Sequence, residues 1–240
     1  MTVSFVGTAY HGFQRQKNAL AVQNVIEDAL TAILGQQTLI VGCSRTDTGV
    51  HAREFCLSFR TSCSIPCEGL VKAMNGMLPG DIAVRDCCDA DDGFHARYSC
   101  IGKEYEYLIY TGPTRDPFWH DRALYYPYSF RTDTVRYAAS FFEGRHDFTS
   151  FCGADGLKED NCRTVTATSV TKSDDMISVR ISADGFLYNM VRIIVGTLID
   201  VNEGRKAPDS IPVIIDGRDR SLAGATAPSH GLYLNRVFYP

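Results

Sequence analysis

The sequence predicts an α+β fold of two ferredoxin-like (RRM-like) βαββαβ subdomains, with antiparallel sheets flanking a central cleft. Two observations carry this. The order strand, helix, strand, strand, helix, strand can be read twice along the 240 residues, which is the split-βαβ arrangement. Hydrophobic residues make up 45% and charged residues 22%, the balance of a packed globule rather than a disordered chain. The length falls between one large domain and two small ones. A division into 1–96 and 97–240 is expected.

In the first half, Val3 to Ala9 reads as a strand. Val22, Ile26, Ala29, Leu30 and Ile33 recur at helical spacing and predict a helix from about Leu20 to Leu34. Leu39 to Cys43 follows as a strand. Glu54 to Arg60 alternates, with Phe55, Leu57 and Phe59 on one face. Glu68 to Met77 reads as a helix stopped by Pro79-Gly80, and Ile82 to Cys88 returns as a strand. In the second half, Arg97 to Tyr110 reads as a long strand and Asp133 to Phe142 as a helix. Val165 to Lys172 and Met176 to Ala183 form a hairpin across Ser173-Asp174-Asp175. Tyr188 to Asn202 is a helix, a short one follows near Ile211, and Leu232 to Tyr239 closes as a strand. The connection Thr111 to Tyr128 is long and aromatic, so it is either functional or packed over a core edge.

Charge and cysteine usage narrow the class. The net charge is −4, which does not advertise a nucleic-acid partner, although RNA responds to local potential. Of the 24 basic residues, 18 are Arg, the side chain that grips phosphate in a fork and stacks on bases. The longest apolar stretch, Met190 to Ile199, is interrupted by Arg192 and is too short to span a bilayer. No basic segment followed by an apolar one opens the chain. A soluble cytoplasmic protein is expected. The nine Cys are odd in number and lack a CxxC, which favours reduced thiols. Cys63, Cys67, Cys87 and Cys88 fit no zinc-finger or ribbon spacing.

The strongest local signal is Arg45-Thr46-Asp47-Thr48-Gly49-Val50-His51-Ala52, between two strands. Gly49 permits a turn that a residue with a Cβ resists. Such a turn can hold a carboxylate at a sheet edge, and Arg45 favours its ionised form. An ionised, partly desolvated carboxylate is a nucleophile or base. The same tripeptide also suits a plain turn whose Asp caps its own backbone. Arg192 lies on an apolar helix face and needs a partner, such as Asp47 or a phosphate, unless it snorkels to solvent. Tyr105, Tyr107 and Ile109 share a strand face, where a Tyr can stack on a base or pack across strands.

These segments together resemble the TruA family of tRNA pseudouridine synthases over nearly the whole chain. Tyr10-His11-Gly12-Phe13-Gln14-Arg15-Gln16 with Val22-Gln23, and Gly42 through Ala52, are similar to its first two boxes. Phe94-His95-Ala96-Arg97-Tyr98, Tyr105-Glu106-Tyr107, His146-Asp147-Phe148, Phe186 through Arg192 with Val195-Gly196, and Ala227-Pro228 with Gly231-Leu232-Tyr233-Leu234 follow in order. The resemblance implies isomerisation of uridines at tRNA positions 38, 39 and 40, in the anticodon arm, by a homodimer. The target nucleotide must leave its stack. Asp47 then attacks C1′ or removes a C2′ proton, and the freed uracil rotates and rejoins through C5. Arg45 holds the everted nucleotide, Tyr105 packs on the base, and Arg192 pairs with the carboxylate. Arg15, Lys17 and Arg97 are expected to contact RNA, and Arg15, Lys17, Arg45, Arg97 and Arg192 to line one positive cleft. No metal, nucleotide or redox cofactor is implied, and none of their motifs occurs.

Two other classes compete. Asp47-Thr48-Gly49 spells an aspartic-protease signature, yet that chemistry needs two carboxylates sharing a proton, and no second such tripeptide occurs. A non-catalytic RNA-binding module with two RRM-like repeats should carry an RNP1-type run, and none is present.

Overall fold

The structure, a computed structural model, describes residues 1–240. In chain order its elements are β1 (Thr2–Phe5), α1 (Val22–Leu34), β2 (Val41–Gly42), β3 (His51–Ser58), α2 (Cys67–Met77), β4 (Ile82–Asp86), β5 (Gly102–Tyr110) and β6 (Leu124–Tyr125). They continue as α3 (Thr132–Ser140), β7 (Gly144–Asp147), β8 (Cys162–Ser173), β9 (Met176–Ala183), α4 (Met190–Asn202), α5 (Ile211–Gly217) and β10 (Leu232–Phe238). The architecture is mixed α+β. The chain forms two compact units, Met1–Ile101 with Tyr233–Pro240, and Gly102–Leu232. The last stretch of the first unit holds β10. That strand pairs in parallel with β3, Tyr233 opposite His51 and Leu234 opposite Ala52.

In the first unit β1 lies between β4 and β3, antiparallel to both. The other edge of β3 is shared. Its start meets β10, and its end meets β2 through Ser58–Val41 and Leu57–Gly42. The strand expected over Leu39 to Cys43 is therefore only two residues long. β1 also ends earlier than expected, because Gly7–Ala9 turns into a 3₁₀ helix. The apolar stripe of α1 (Val22, Ile26, Ala29, Leu30) is buried, as are the strand residues Val3, Phe5, Phe55 and Leu57. Phe13 and Phe55 stack at 4.1 Å, and each such fully buried ring contributes about 1.5–3 kcal/mol. Gly42 passes against both rings, where a Cβ would lie 2.4 Å from Phe13.

In the second unit the strand order is β5-β9-β8-β7, antiparallel throughout, with β6 added in parallel to β5. Two strand pairs, β3–β10 and β5–β6, thus depart from the all-antiparallel expectation. The expected strand from Arg97 starts only at Gly102. His95 Nδ1 accepts the backbone N–H groups of Arg97 and Tyr98, at 3.2 and 3.1 Å, and Ser99 N–H returns to His95 O. A side-chain-capped turn replaces the first part of the strand. α3 packs on β8 and on α4, and α4 is buried on nearly every side.

Candidate active site

In the first unit, Asp47 sits on a turn tied to the segment that follows β1. Gly49 has φ 77°, the left-handed conformation expected of it. Val50 N–H donates to Asp47 O at 3.1 Å and closes the turn. Two bonds fasten it to the neighbouring segment: Gly49 N–H to Tyr10 O at 3.3 Å, and Phe13 N–H to Thr46 O at 3.2 Å. A third is buried, from Gly7 N–H to His51 Nδ1 at 2.9 Å. The backbones approach so closely that a Cβ on Gly12 would meet Thr46 O at 2.4 Å, and one on Gly7 would meet Val50 O at 2.0 Å. Tyr10 is anchored by its hydroxyl, which donates to Asp81 Oδ1 at 2.8 Å. Burial and this carboxylate push the Tyr10 phenol well above its ordinary value. The Asp47 side chain itself is half-buried, and Arg45 is exposed.

Three features of this turn were not readable from the sequence. His51 is fully buried and lies 4.6 Å from the Tyr233 ring, over which Arg53 also sits at 4.9 Å. Thr46 is 7% exposed, and its hydroxyl has no hydrogen-bond partner. Such an orphan costs about 1–3 kcal/mol. Local instability of this kind is typical of segments shaped for function rather than packing.

In the second unit, Arg192 lies in the first turn of α4, after Asn189 in a left-handed conformation. Its Nε donates to Ala227 O at 2.8 Å and one terminal nitrogen to Asn189 Oδ1 at 2.7 Å; Ala227 N–H returns to Arg192 O. Gly196 and Gly224 let the 224–227 segment lie on α4, since a Cβ at Gly196 would stand 1.7 Å from Ala225 O. Tyr105 on β5 is buried and meets Phe186 edge-on at 5.1 Å. Tyr107 donates its hydroxyl to Pro228 O at 2.8 Å. Between them Glu106, 3% exposed, accepts from Ser178 at 2.6 Å and Arg180 at 2.9 Å. A Glu between Tyr105 and Tyr107 was the signal for this ion pair, in which only the carboxylate is buried.

The remaining candidates scatter. Arg15 is bound to the buried carboxylate of Glu27, which also accepts from Gln23 and Ile40. Lys17 is exposed nearby. Arg97 is exposed, on the turn that follows Ala96. Its turn is pinned by Ala96 to Ser58, the far end of β3 from the Asp47 turn, about 20 Å away by strand rise. No group of three or more His, Cys, Asp or Glu is arranged to hold a metal ion, and no helix is long and apolar enough to cross a membrane.

Residues 1–99 and 138–240 match the family described as tRNA pseudouridine synthase. The chain is 42% identical to tRNA pseudouridine synthase A of Caldicellulosiruptor bescii over 239 residues, covering 100% of this chain and 98% of that protein. It is 43% identical over 240 residues to the protein of that name from Ruminiclostridium cellulolyticum, at 100% and 98% coverage. The same identity holds over 240 residues for the Bacillus subtilis protein of that name, at 99% and 97%.

Proposed function

Since this chain belongs to the tRNA pseudouridine synthases and isomerises uridine to pseudouridine in tRNA, we propose that Asp47 is the carboxylate that carries the reaction. The observation that supports this is the Asp47 turn, fixed to a second backbone segment by three hydrogen bonds and two approaches that only glycine allows. A reacting group held that firmly meets the sugar of an everted nucleotide without further ordering. The carboxylate acts at C1′ or on the C2′ proton, and the detached uracil turns and rejoins through C5. Arg45, exposed on the same turn, grips the nucleotide's phosphate. The resemblance gives Tyr105 to the base and Arg192 to the charge of the carboxylate. Lys17 and Arg15 contact the RNA near the turn, and Arg97 contacts it farther off.

The finer reading is that the targets are uridines 38, 39 and 40 of the anticodon arm, and that the enzyme works as a homodimer in the cytoplasm. Each unit is read as one ferredoxin-like subdomain. The order β4-β1-β3 with β2 paired to the end of β3, and the order β5-β9-β8, support this. Family membership argues against a non-catalytic RNA-binding module and against a peptidase.

The test is Asp47→Asn, which keeps shape and removes the charge. Chemical mapping of pseudouridine in bulk tRNA should find no product, while a gel-shift assay shows tRNA binding roughly kept. Product formed at the normal rate would overturn the assignment.

A further inference from the structure

A cavity of about 550 Å³ in the first unit gathers five of the nine cysteines: Cys56, Cys63, Cys67, Cys87 and Cys88. The local fold brings them together. α2 runs out from Cys67, the chain reverses after Leu78, and β4 returns so that Cys87 and Cys88 follow its last residue. The start of the helix and the end of the strand therefore face the same space. All nine cysteines are free thiols. Cys67, first residue of α2, and Cys87, just past the end of β4, both line the cavity, and Cys67 Sγ lies 3.9 Å from Asp89 Oδ1. Both thiols are only half-buried, so a small oxidant reaches them. No residue of the Asp47 turn lines this cavity.

We propose that Cys67 and Cys87 are a reversible redox pair, closing to a disulfide with hydrogen peroxide as oxidant and tethering the start of α2 to the end of β4. Burial pushes the Cys87 thiol up to about 11, so Cys87 stays protonated near neutrality and is the slower target. Cys67 takes the peroxide. Its sulfur attacks one peroxide oxygen, the O–O bond breaks, and the departing hydroxide leaves as water with the thiol proton. Cys67 is then a sulfenic acid. The Cys87 sulfur attacks that sulfur, the S–O bond breaks as the S–S bond forms, and the second water carries away the Cys87 proton. Two thiols are oxidised and one peroxide is reduced to two waters. A dithiol reductant reverses the change. The pair is independent of the uridine chemistry.

The test is peptide mapping of the full-length protein by mass spectrometry, after hydrogen peroxide treatment and blocking of remaining thiols. The expected product is a linked pair of the Cys67 and Cys87 peptides, lighter by two hydrogens than the separate peptides and lost on treatment with dithiothreitol. Cys88→Ser should keep the link, and Cys67→Ser or Cys87→Ser should abolish it. Cys67 and Cys87 both still open to alkylation after peroxide would overturn the proposal. So would a dominant Cys87–Cys88 or Cys63–Cys67 link, or irreversible oxidation of Cys67 with no link. Because the unmutated protein carries the main readout, misfolding of a variant does not blur the result.

Discussion

Gly12 shows how one position can govern a carboxylate it does not touch. Its φ of +80° already favours glycine, and a methyl group there would stand 2.4 Å from the Thr46 carbonyl oxygen, one residue before Asp47. The neighbour is backbone, so it can yield only by moving the turn. Gly12→Ala should therefore cost about 1–3 kcal/mol of stability, read from the urea midpoint. Because a misplacement of the reacting group by about 1 Å can cost about 100-fold, kcat should fall by about 10- to 100-fold with KM for tRNA little changed. Gly35 supplies the control. It is also left-handed, at φ +67°, but nothing lies within 4 Å of its added Cβ. Gly35→Ala should lower stability by about 1 kcal/mol and leave kcat alone; equal effects of the two variants on kcat would refute the link between Gly12 and the turn. At this scale the sequence was partly legible. Asp47 and Gly49 stand out because a carboxylate beside Gly and Arg has few uses, whereas the reach of Gly12 to Thr46 depends on a contact between segments 34 residues apart.

At the level of elements, legibility followed periodicity. β9 occupies Met176–Ala183 as expected, and α1 and α2 start within two residues of expectation, since amphipathic helices and hairpins announce themselves locally. β7, of sequence GRHD, has no alternation to read; it is a strand only because β8 pairs with it. Arg97 to Ile101 looked like strand because the competing signal, a histidine ring capping two backbone N–H groups, is invisible to alternation. The β8–β9 hairpin offers a test of turn chemistry. Ser173 pairs with Met176, and Asp174, first of the two turn residues, is held at φ 50°. Hairpin turns of two residues place glycine at such a position. Asp174→Gly should raise stability by about 0.5–1 kcal/mol, seen as a higher urea midpoint with unchanged activity. A lower midpoint would mean that the Asp174 side chain supports the turn.

Across the whole molecule, what escaped the sequence was pairing at a distance. The last strand pairs in parallel with β3, Tyr233 opposite His51, and no local pattern announces a partner so far back in the chain. Just before that strand comes His230, a place where pH reaches global stability. Burial lowers its pKa below the ordinary 6.5; Asp121 opposes this, and the neighbouring His120 and Arg192 add to it. The folded protein thus keeps the imidazole neutral at a pH where the unfolded chain has taken up its proton. Stability from this group is full above about pH 6.5 and is lost as pH falls through that value toward the lower folded pKa. His230→Gln cannot titrate. Urea unfolding at about pH 7.5 and about pH 5.5 should therefore show the wild type losing more unfolding free energy on acidification than the variant. The other titrating groups are common to both proteins and cancel in the comparison. Parallel losses in the two proteins would mean that His230 carries none of the acid sensitivity.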